Sequence, residues 1–394
     1  MIEVDISNIW CGLSLPDLLA IEREVAAAHE KLMESAQDLP WLELSDAEQQ
    51  LEEIQHAADC IRQNCEICVI AAPGDLCLGP QAVMELLGCK GGPQILFTGD
   101  TLSTQRWNAL NRQLEGKDFC LIALSQTGTT LESAIAFRGL RWAMERRYGT
   151  EETARRIYAV TQEDSALWQM ASQQGWKCFA IPQGVAGSHT VLSPAGLLPM
   201  AVADMDIHNL LEGARQARKN YDLRSFENPL WLYAGGRNAL HRRGRTVELF
   251  GSAAPEFGTF GAWWQQLFAQ SEQTGVFPAV VEYPRDIRCL GRRITEGGDI
   301  FETLVRYSSE EVPYTIGSDV FDLDGLNDLA EKTLEQIRLQ AFQAAVADHN
   351  DGAVPVITMD CGSPDEKMAG ELLGFLEMAS GLSACISGNA VRDV

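Results

Sequence analysis

Residues 119–133 read FCLIALSQTGTTLES, an apolar run that stops at a loop of small hydroxyl residues and is followed by a helical pattern. Leu121, Ile122, Ala123 and Leu124 are contiguous and apolar, as expected for a strand buried on both faces of a parallel sheet. Ser125, Thr127, Thr129 and Thr130 place four hydroxyls around Gly128 at its carboxyl end. A loop of this kind, opening onto the unpaired amides of a helix N-terminus, surrounds a phosphate with backbone donors, hydroxyl donors and the positive end of the helix dipole. The same residues also suit a ligand-free helix start, with Thr130, Ser133 and Glu132 as a capping cluster. Both readings stand at this point.

Outward from that loop, strands are expected at 66–72, 94–98, 156–161 and 177–181, interleaved with helical stretches. This alternation describes a three-layer α/β unit with a parallel sheet, whose ligands sit outside the carboxyl ends of the strands. No G-x-G-x-x-G follows an early strand, which argues against a dinucleotide fold. Helical spacing from Leu15 to about Ala36, and again from Ser45 to Cys60, puts N-terminal helices ahead of it.

A second α/β unit begins near Asn228. Its expected elements are a strand at WLYAGG (231–236), a basic helix through RNALHRRGRTVELF (237–250) and a helix over 258–270. The run of arginines in the basic helix reads as a solvated face or a subunit contact. Strands at 276–283, 301–307 and 354–359, with helices at 324–348 and 365–387, complete the chain. The resulting division is an N-terminal helical segment at 1–55, a first α/β domain at 56–215, and a second at 216–394 that includes the C-terminal helix.

A chain of 394 residues is long enough for two such domains. Its 31 basic and 55 acidic residues leave a net charge of -24, which repels nucleic acid and anionic membranes. With no apolar run of eighteen residues and no signal-like start in MIEVDISNIW, a cytoplasmic protein is expected. Eleven scattered cysteines read as free thiols of a reducing compartment. Cys65 and Cys68 form a C-x-x-C, but on a strand residues three apart face opposite ways and no second pair follows, so no metal site is expected.

The segment SQTGTTLESAIAFR resembles the phosphate loop of glucose-6-phosphate isomerases, S-K-[ST]-x-[ST]-T-x-E, with Gln126 at the lysine position. The resemblance continues through 187–214, 237–250 and 263–268 and covers nearly the whole chain. It implies an α/β fold of two SIS-type (sugar isomerase) three-layer α/β/α domains with mainly parallel sheets. It also implies a phosphorylated sugar held at Ser125, Gln126, Thr127 and Thr130, no cofactor, and a place in glycolysis and gluconeogenesis. A homodimer is expected on the same grounds, with Trp231, Trp263 and Trp264 read as exposed aromatic surface.

The positions that carry the family's chemistry differ here. Where the family has a glycine-rich sugar turn, G-x-G-G-S-x-x-G, this chain has Gly74, Asp75 and Leu76 behind Pro73, which lacks an amide donor. A carboxylate about 6 Å from a phosphate repels it by roughly 0.7 to 3 kcal/mol between the dielectrics of water and a protein surface. In place of V-G-G-R-[FY]-S, Ser188 replaces the arginine, and His189 takes an aromatic position where packing is its expected role. In place of G-E-S-[EN]-G-K, Gln270 takes the position of the proton-transferring glutamate, and Glu272 matches the second acidic position. Arg288 stands where T-x-D-x-H-S-L-G has its ring-opening histidine, while His349 opens a further family-like stretch.

The sequence in hand stops at Val394, ahead of the family's lysine segment, of which only Asn389 is recognisable. An amide cannot accept a proton near neutral pH and a guanidinium cannot give one up. The resemblance therefore implies a phosphosugar-binding homologue with a sensing or regulatory output. The alternatives are an isomerase with a rebuilt site or another substrate, and a partner in a mixed dimer with an active isomerase.

Overall fold

Ten strands, among the residues described, form two five-stranded sheets. The structure is a computed structural model, and it describes residues 1–272, 275–308 and 312–389. In chain order the strands are β1 (Glu3–Asn8), β2 (Ile67–Ala71), β3 (Gln94–Thr98), β4 (Phe119–Leu124) and β5 (Ile157–Thr161). They continue with β6 (Lys177–Ala180), β7 (Val247–Ser252), β8 (Phe277–Glu282), β9 (Ile300–Arg306) and β10 (Val356–Asp360).

The first sheet has the order β3-β2-β4-β5-β6 and is parallel throughout. All residues of β2, β4 and β5 are buried, which is why these strands read as unbroken apolar runs. From β2 the chain steps to β3 on one side and then to β4 on the other. The switch point, where such sheets bind ligands, thus lies between the ends of β2 and β4.

The second sheet has the order β1-β10-β9-β7-β8. Its strands β7 to β10 are parallel, and β1 adds to the edge antiparallel, with Val4 opposite Met359. The N-terminal segment is thus not wholly helical: it contributes an edge strand to the distant second sheet before its helices begin. Helix Glu366–Ile386 has the length and apolarity of a membrane span, but 94% of that window is buried as a core helix of this fold.

Residues 231–236 are not a strand. They lie in the helix Pro229–Arg242, where Asn228 caps the Leu230 amide at 2.9 Å and Pro229 occupies the first turn. Trp231, Tyr233, Ala234 and Leu240 are all buried, so the helix has no polar face to reveal its period. The helix expected over 237–250 ends at Arg242, and after Gly244 the chain becomes β7. Trp231, Trp263 and Trp264 are 1%, 0% and 0% exposed, so they form core rather than a subunit surface. The stretch from Gly74 to Leu76, where the resemblance implies a glycine-rich turn, is the start of the helix Gly74–Leu87.

Candidate functional site

Two features meet at the switch point of the first sheet. The hydroxyl loop leaves β4, and the helix Gly74–Leu87 leaves β2 through Pro73.

In the loop, Ser125 is buried and its Oγ accepts from the Gly128 amide at 2.9 Å. The carbonyls of Gln126 and Thr127 are held by Thr161, Gln162 and Ala166, which fixes the backbone against β5 and the turn after it. Gly128 has φ +77°, and a Cβ there would lie 2.7 Å from Leu167, so only glycine fits. Thr127, Thr129 and Thr130 are exposed, and the hydroxyls of Thr127 and Thr129 lie 2.8 Å apart. Thr130 is the N-cap of the helix beginning at Leu131, yet its side chain makes no capping bond. The first-turn amides and the exposed hydroxyls together form the donor set that a phosphate dianion requires. Gln126 is turned away from this set, donating to the Val185 carbonyl at 2.6 Å. It ties the hydroxyl loop to the loop that carries Ser188, rather than serving as a phosphate donor.

The second feature joins residues far apart in the chain. Ser188, in the short turn Gly187–Thr190, donates through Oγ to Gln270 Oε1 at 2.6 Å, and its amide donates to the same oxygen at 3.3 Å. The Trp263 indole donates to the Ser188 carbonyl at 2.9 Å and locks that turn. The Asp75 carboxyl lies against the same turn, and the Gln270 side chain is one of the groups that favour its charged form. Burial raises the Asp75 carboxyl above the usual carboxylate range, against hydrogen bonds from its own amide, the Leu76 amide and Gln270. The fit at Gly187 is close: a Cβ there would lie 1.9 Å from Asp75 Oδ2. Asp75 is half-buried, and beside it Gly74 has open space where a side chain would be.

An amide at position 270 suits both neighbours because it offers an acceptor to Ser188 and a donor to Asp75. A glutamate there would set two carboxyls against each other. The residues at 75, 188 and 270 therefore meet at one turn, with Ser188 and Gln270 joined by hydrogen bonds and Asp75 against Gly187.

Other candidates stand elsewhere. Leu76 turns inward, 3% exposed, and belongs to the core rather than to a sugar surface. Glu272 also turns into the core, where it meets Arg237 at 2.5 Å. Arg237 is itself fully buried, pairs with Glu248 and bonds Ser383, so it is neither solvated nor a subunit contact. His349 is buried against Glu302, whose other oxygen accepts from Tyr283 at 2.6 Å. Arg288 is exposed on the first turn of the helix Ile287–Glu296.

His189 is buried against Trp41, with ring centroids 5.0 Å apart, and burial pushes its pKa down to about 3. A neutral, walled-in imidazole of this kind packs rather than exchanges protons. Among the described residues no group of three or more potential metal ligands gathers, and all eleven cysteines are free thiols. The meeting of Asp75, Ser188 and Gln270 at one turn is not readable from the sequence. Its one signal is an acidic residue at a glycine position, opposite an amide at an acidic one.

Two mainly parallel α/β sheets, with a hydroxyl loop at one switch point, define a SIS-type sugar isomerase fold. No family model matches the chain. Glucose-6-phosphate isomerase of Bacillus cereus (strain AH187) is 35% identical over 380 residues, covering 92% of this chain and 84% of that one. The enzyme of the same name from Bacillus cytotoxicus is 36% identical over the same shares. Among solved structures, a hypothetical protein from Thermus thermophilus has a TM-score of 0.87 at 22% identity, covering 98% of this chain and 94% of that one. A glucose-6-phosphate isomerase from Chlamydia trachomatis has a TM-score of 0.73 at 16% identity, covering 88% and 70%. The chain belongs to the glucose-6-phosphate isomerase family.

Proposed function

We propose that this chain binds a phosphorylated sugar at the first-sheet switch point and no longer uses the proton route of the enzymes it is related to. The phosphate sits on the amides and hydroxyls at Thr127–Leu131, and the sugar reaches toward Gly74 and Asp75. The observation that carries this reading is the Ser188–Gln270 pair beside Asp75, in which an amide holds the position of the family's glutamate and its oxygen is committed to Ser188. Neither Arg288, exposed on its helix, nor His349, closed in by Glu302, takes up the ring-opening role. Binding without the inherited chemistry suits a sensing or regulatory output.

A homodimer belongs to the same reading. It is supported by the segment after residue 311, where Val312, Val320, Phe321 and Leu323 are exposed apolar side chains. The deciding experiment is a calorimetric titration with glucose 6-phosphate and fructose 6-phosphate. Saturable binding of at least one is expected, and no heat with either sugar overturns the proposal.

A second reading, an isomerase with a rebuilt site, is favoured by one observation. A half-buried carboxyl, Asp75, stands against Gly187, next to Ser188 and its partner Gln270.

A further inference from the structure

We infer that the second sheet carries a ligand site of its own, at its switch point, and that this site takes a neutral polyol the size of a monosaccharide. It is separate from the first-sheet site, and either can exist without the other.

The two sheets share one strand order. The first, β3-β2-β4-β5-β6, and the second, β8-β7-β9-β10-β1, both run 2-1-3-4-5, with antiparallel β1 in the fifth place of the second. Strand β7 is thus the counterpart of β2, and β9 of β4. The crevice of such a sheet lies between the carboxyl ends of its first and third strands. A cavity of about 140 Å³ lies there, between Ser252 at the end of β7, Arg306 at the end of β9 and the helix Leu334–Asp351. A cavity of about 150 Å³ holds a benzene ring, so this one has room for a single six-membered ring.

The walls choose the ligand. Glu335, Arg338, Leu339 and Phe342 stand at i, i+3, i+4 and i+7 on that helix and line the cavity with one face. Arg338 places two nitrogens on one oxygen of Glu335, at 2.5 and 2.9 Å, and donates to the Tyr307 carbonyl at 3.0 Å. Arg306 pairs with Asp360 at 2.7 Å. Each guanidinium therefore has its carboxylate, and a ligand that brings net charge must compete with a pair already formed.

What the pairs leave open is hydrogen-bonding capacity. Ser252 is buried and accepts from the Ala254 amide at 3.1 Å. Among the described residues, its hydroxyl proton, Nη1 of Arg338, Nε and Nη1 of Arg306, and Oε1 of Glu335 make no hydrogen bond. Donors and an acceptor thus stand side by side. Vicinal hydroxyls, each both donor and acceptor, satisfy such a set without adding charge. Phe342, Leu339 and Ala254 supply apolar wall for the C–H face of a sugar ring. The hydroxyl loop of the first sheet differs, because its amides and hydroxyls offer the donors that a phosphate needs.

The test is a ligand-observed NMR titration of the whole chain with D-glucose, D-fructose, D-ribose and myo-inositol, beside inorganic phosphate. Saturable binding of at least one polyol, in the millimolar range, is expected. Arg306→Gln should weaken it about tenfold or more, the worth of a hydrogen bond from a charged group. Arg338→Gln serves as a second variant if the first fails to fold.

No saturable binding of any of the four polyols overturns the inference. Binding that is unchanged in a folded variant at either arginine overturns it too, because the polyol would then sit elsewhere. Phosphate binding that is lost with these arginines, while the polyols are ignored, would make the cavity an anion site and overturn it as well. None of these results touches the first-sheet reading, which stands or falls on glucose 6-phosphate and fructose 6-phosphate.

Discussion

The side-chain oxygen of Gln270 accepts from the Ser188 hydroxyl at 2.6 Å, at a turn against which the Asp75 carboxyl also lies. An amide there gives Ser188 its acceptor without setting a second charge beside Asp75. Gln270→Glu should therefore destabilise the fold by roughly 1 to 3 kcal/mol near neutral pH, because a neutral amide becomes a charge opposed to Asp75. The two carboxyls would then share a proton, with one pKa raised in the folded state. That penalty is absent at low pH and grows as pH rises toward the raised value, so the variant's melting temperature should recover toward wild type near pH 4. Equal loss at pH 4 and pH 7 would show that the two side chains do not meet.

Thr127→Ala with Thr130→Ala removes two exposed hydroxyls beside the first turn of the helix Leu131–Arg156. Loss of two charge-assisted hydrogen bonds should weaken phosphosugar binding by roughly 10- to 1000-fold. The melting temperature should barely move, since neither side chain is in the core. Unchanged affinity by calorimetry would place the phosphate elsewhere.

Glu272 and Arg237 test the division between site and core. Removing one member of a buried ion pair costs about 3 to 5 kcal/mol, and both side chains here are 2% exposed or less. Glu272→Gln should lower the unfolding midpoint in urea accordingly and leave phosphosugar affinity within twofold in the folded fraction. A large loss of affinity with stability intact would return Glu272 to the sugar site.

Glu377 offers a pH prediction. Its side chain is fully buried with no partner for either carboxyl oxygen, and burial pushes its pKa well above the ordinary value of 4.5. The folded protein therefore holds this proton more tightly than the unfolded chain does. The stability it supports is present below about pH 4.5 and is lost as pH rises toward the folded value. Glu377→Gln should raise the melting temperature at pH 8 and change it little at pH 4.5. A difference that does not vary with pH would mean that the carboxyl finds a partner in solution.

The exposed apolar segment bears on assembly. Val320 and Leu323 are 92% and 93% exposed, and Phe321 lies between them. Light scattering at micromolar concentration should give a dimer, and Phe321→Asp with Leu323→Asp should shift it toward monomer. A monomeric wild type would remove the assembly from the proposed function.

What the sequence determined by itself is local. A six-residue apolar run at β4 must be buried on both sides, and a glycine among hydroxyls must turn the chain into the next helix, so the parallel sheet and its hydroxyl loop were legible. So was the fact that Gln270 is no proton acceptor near neutral pH, because an amide has no basic pair wherever it sits. Tertiary structure alone decided the rest, because partners are chosen by the meeting of distant segments. The WLYAGG stretch is buried nearly all round, so periodicity could not tell helix from strand there, and packing settled it. Glu272 is two residues from Gln270, yet the helix end turns it inward to Arg237, 35 positions away. Ser188 and Gln270 are 82 positions apart and meet only when the first sheet's last loop closes on the helix Gly258–Ser271. Asp75 reaches the same turn from just beyond the end of β2, where its carboxyl lies against Gly187.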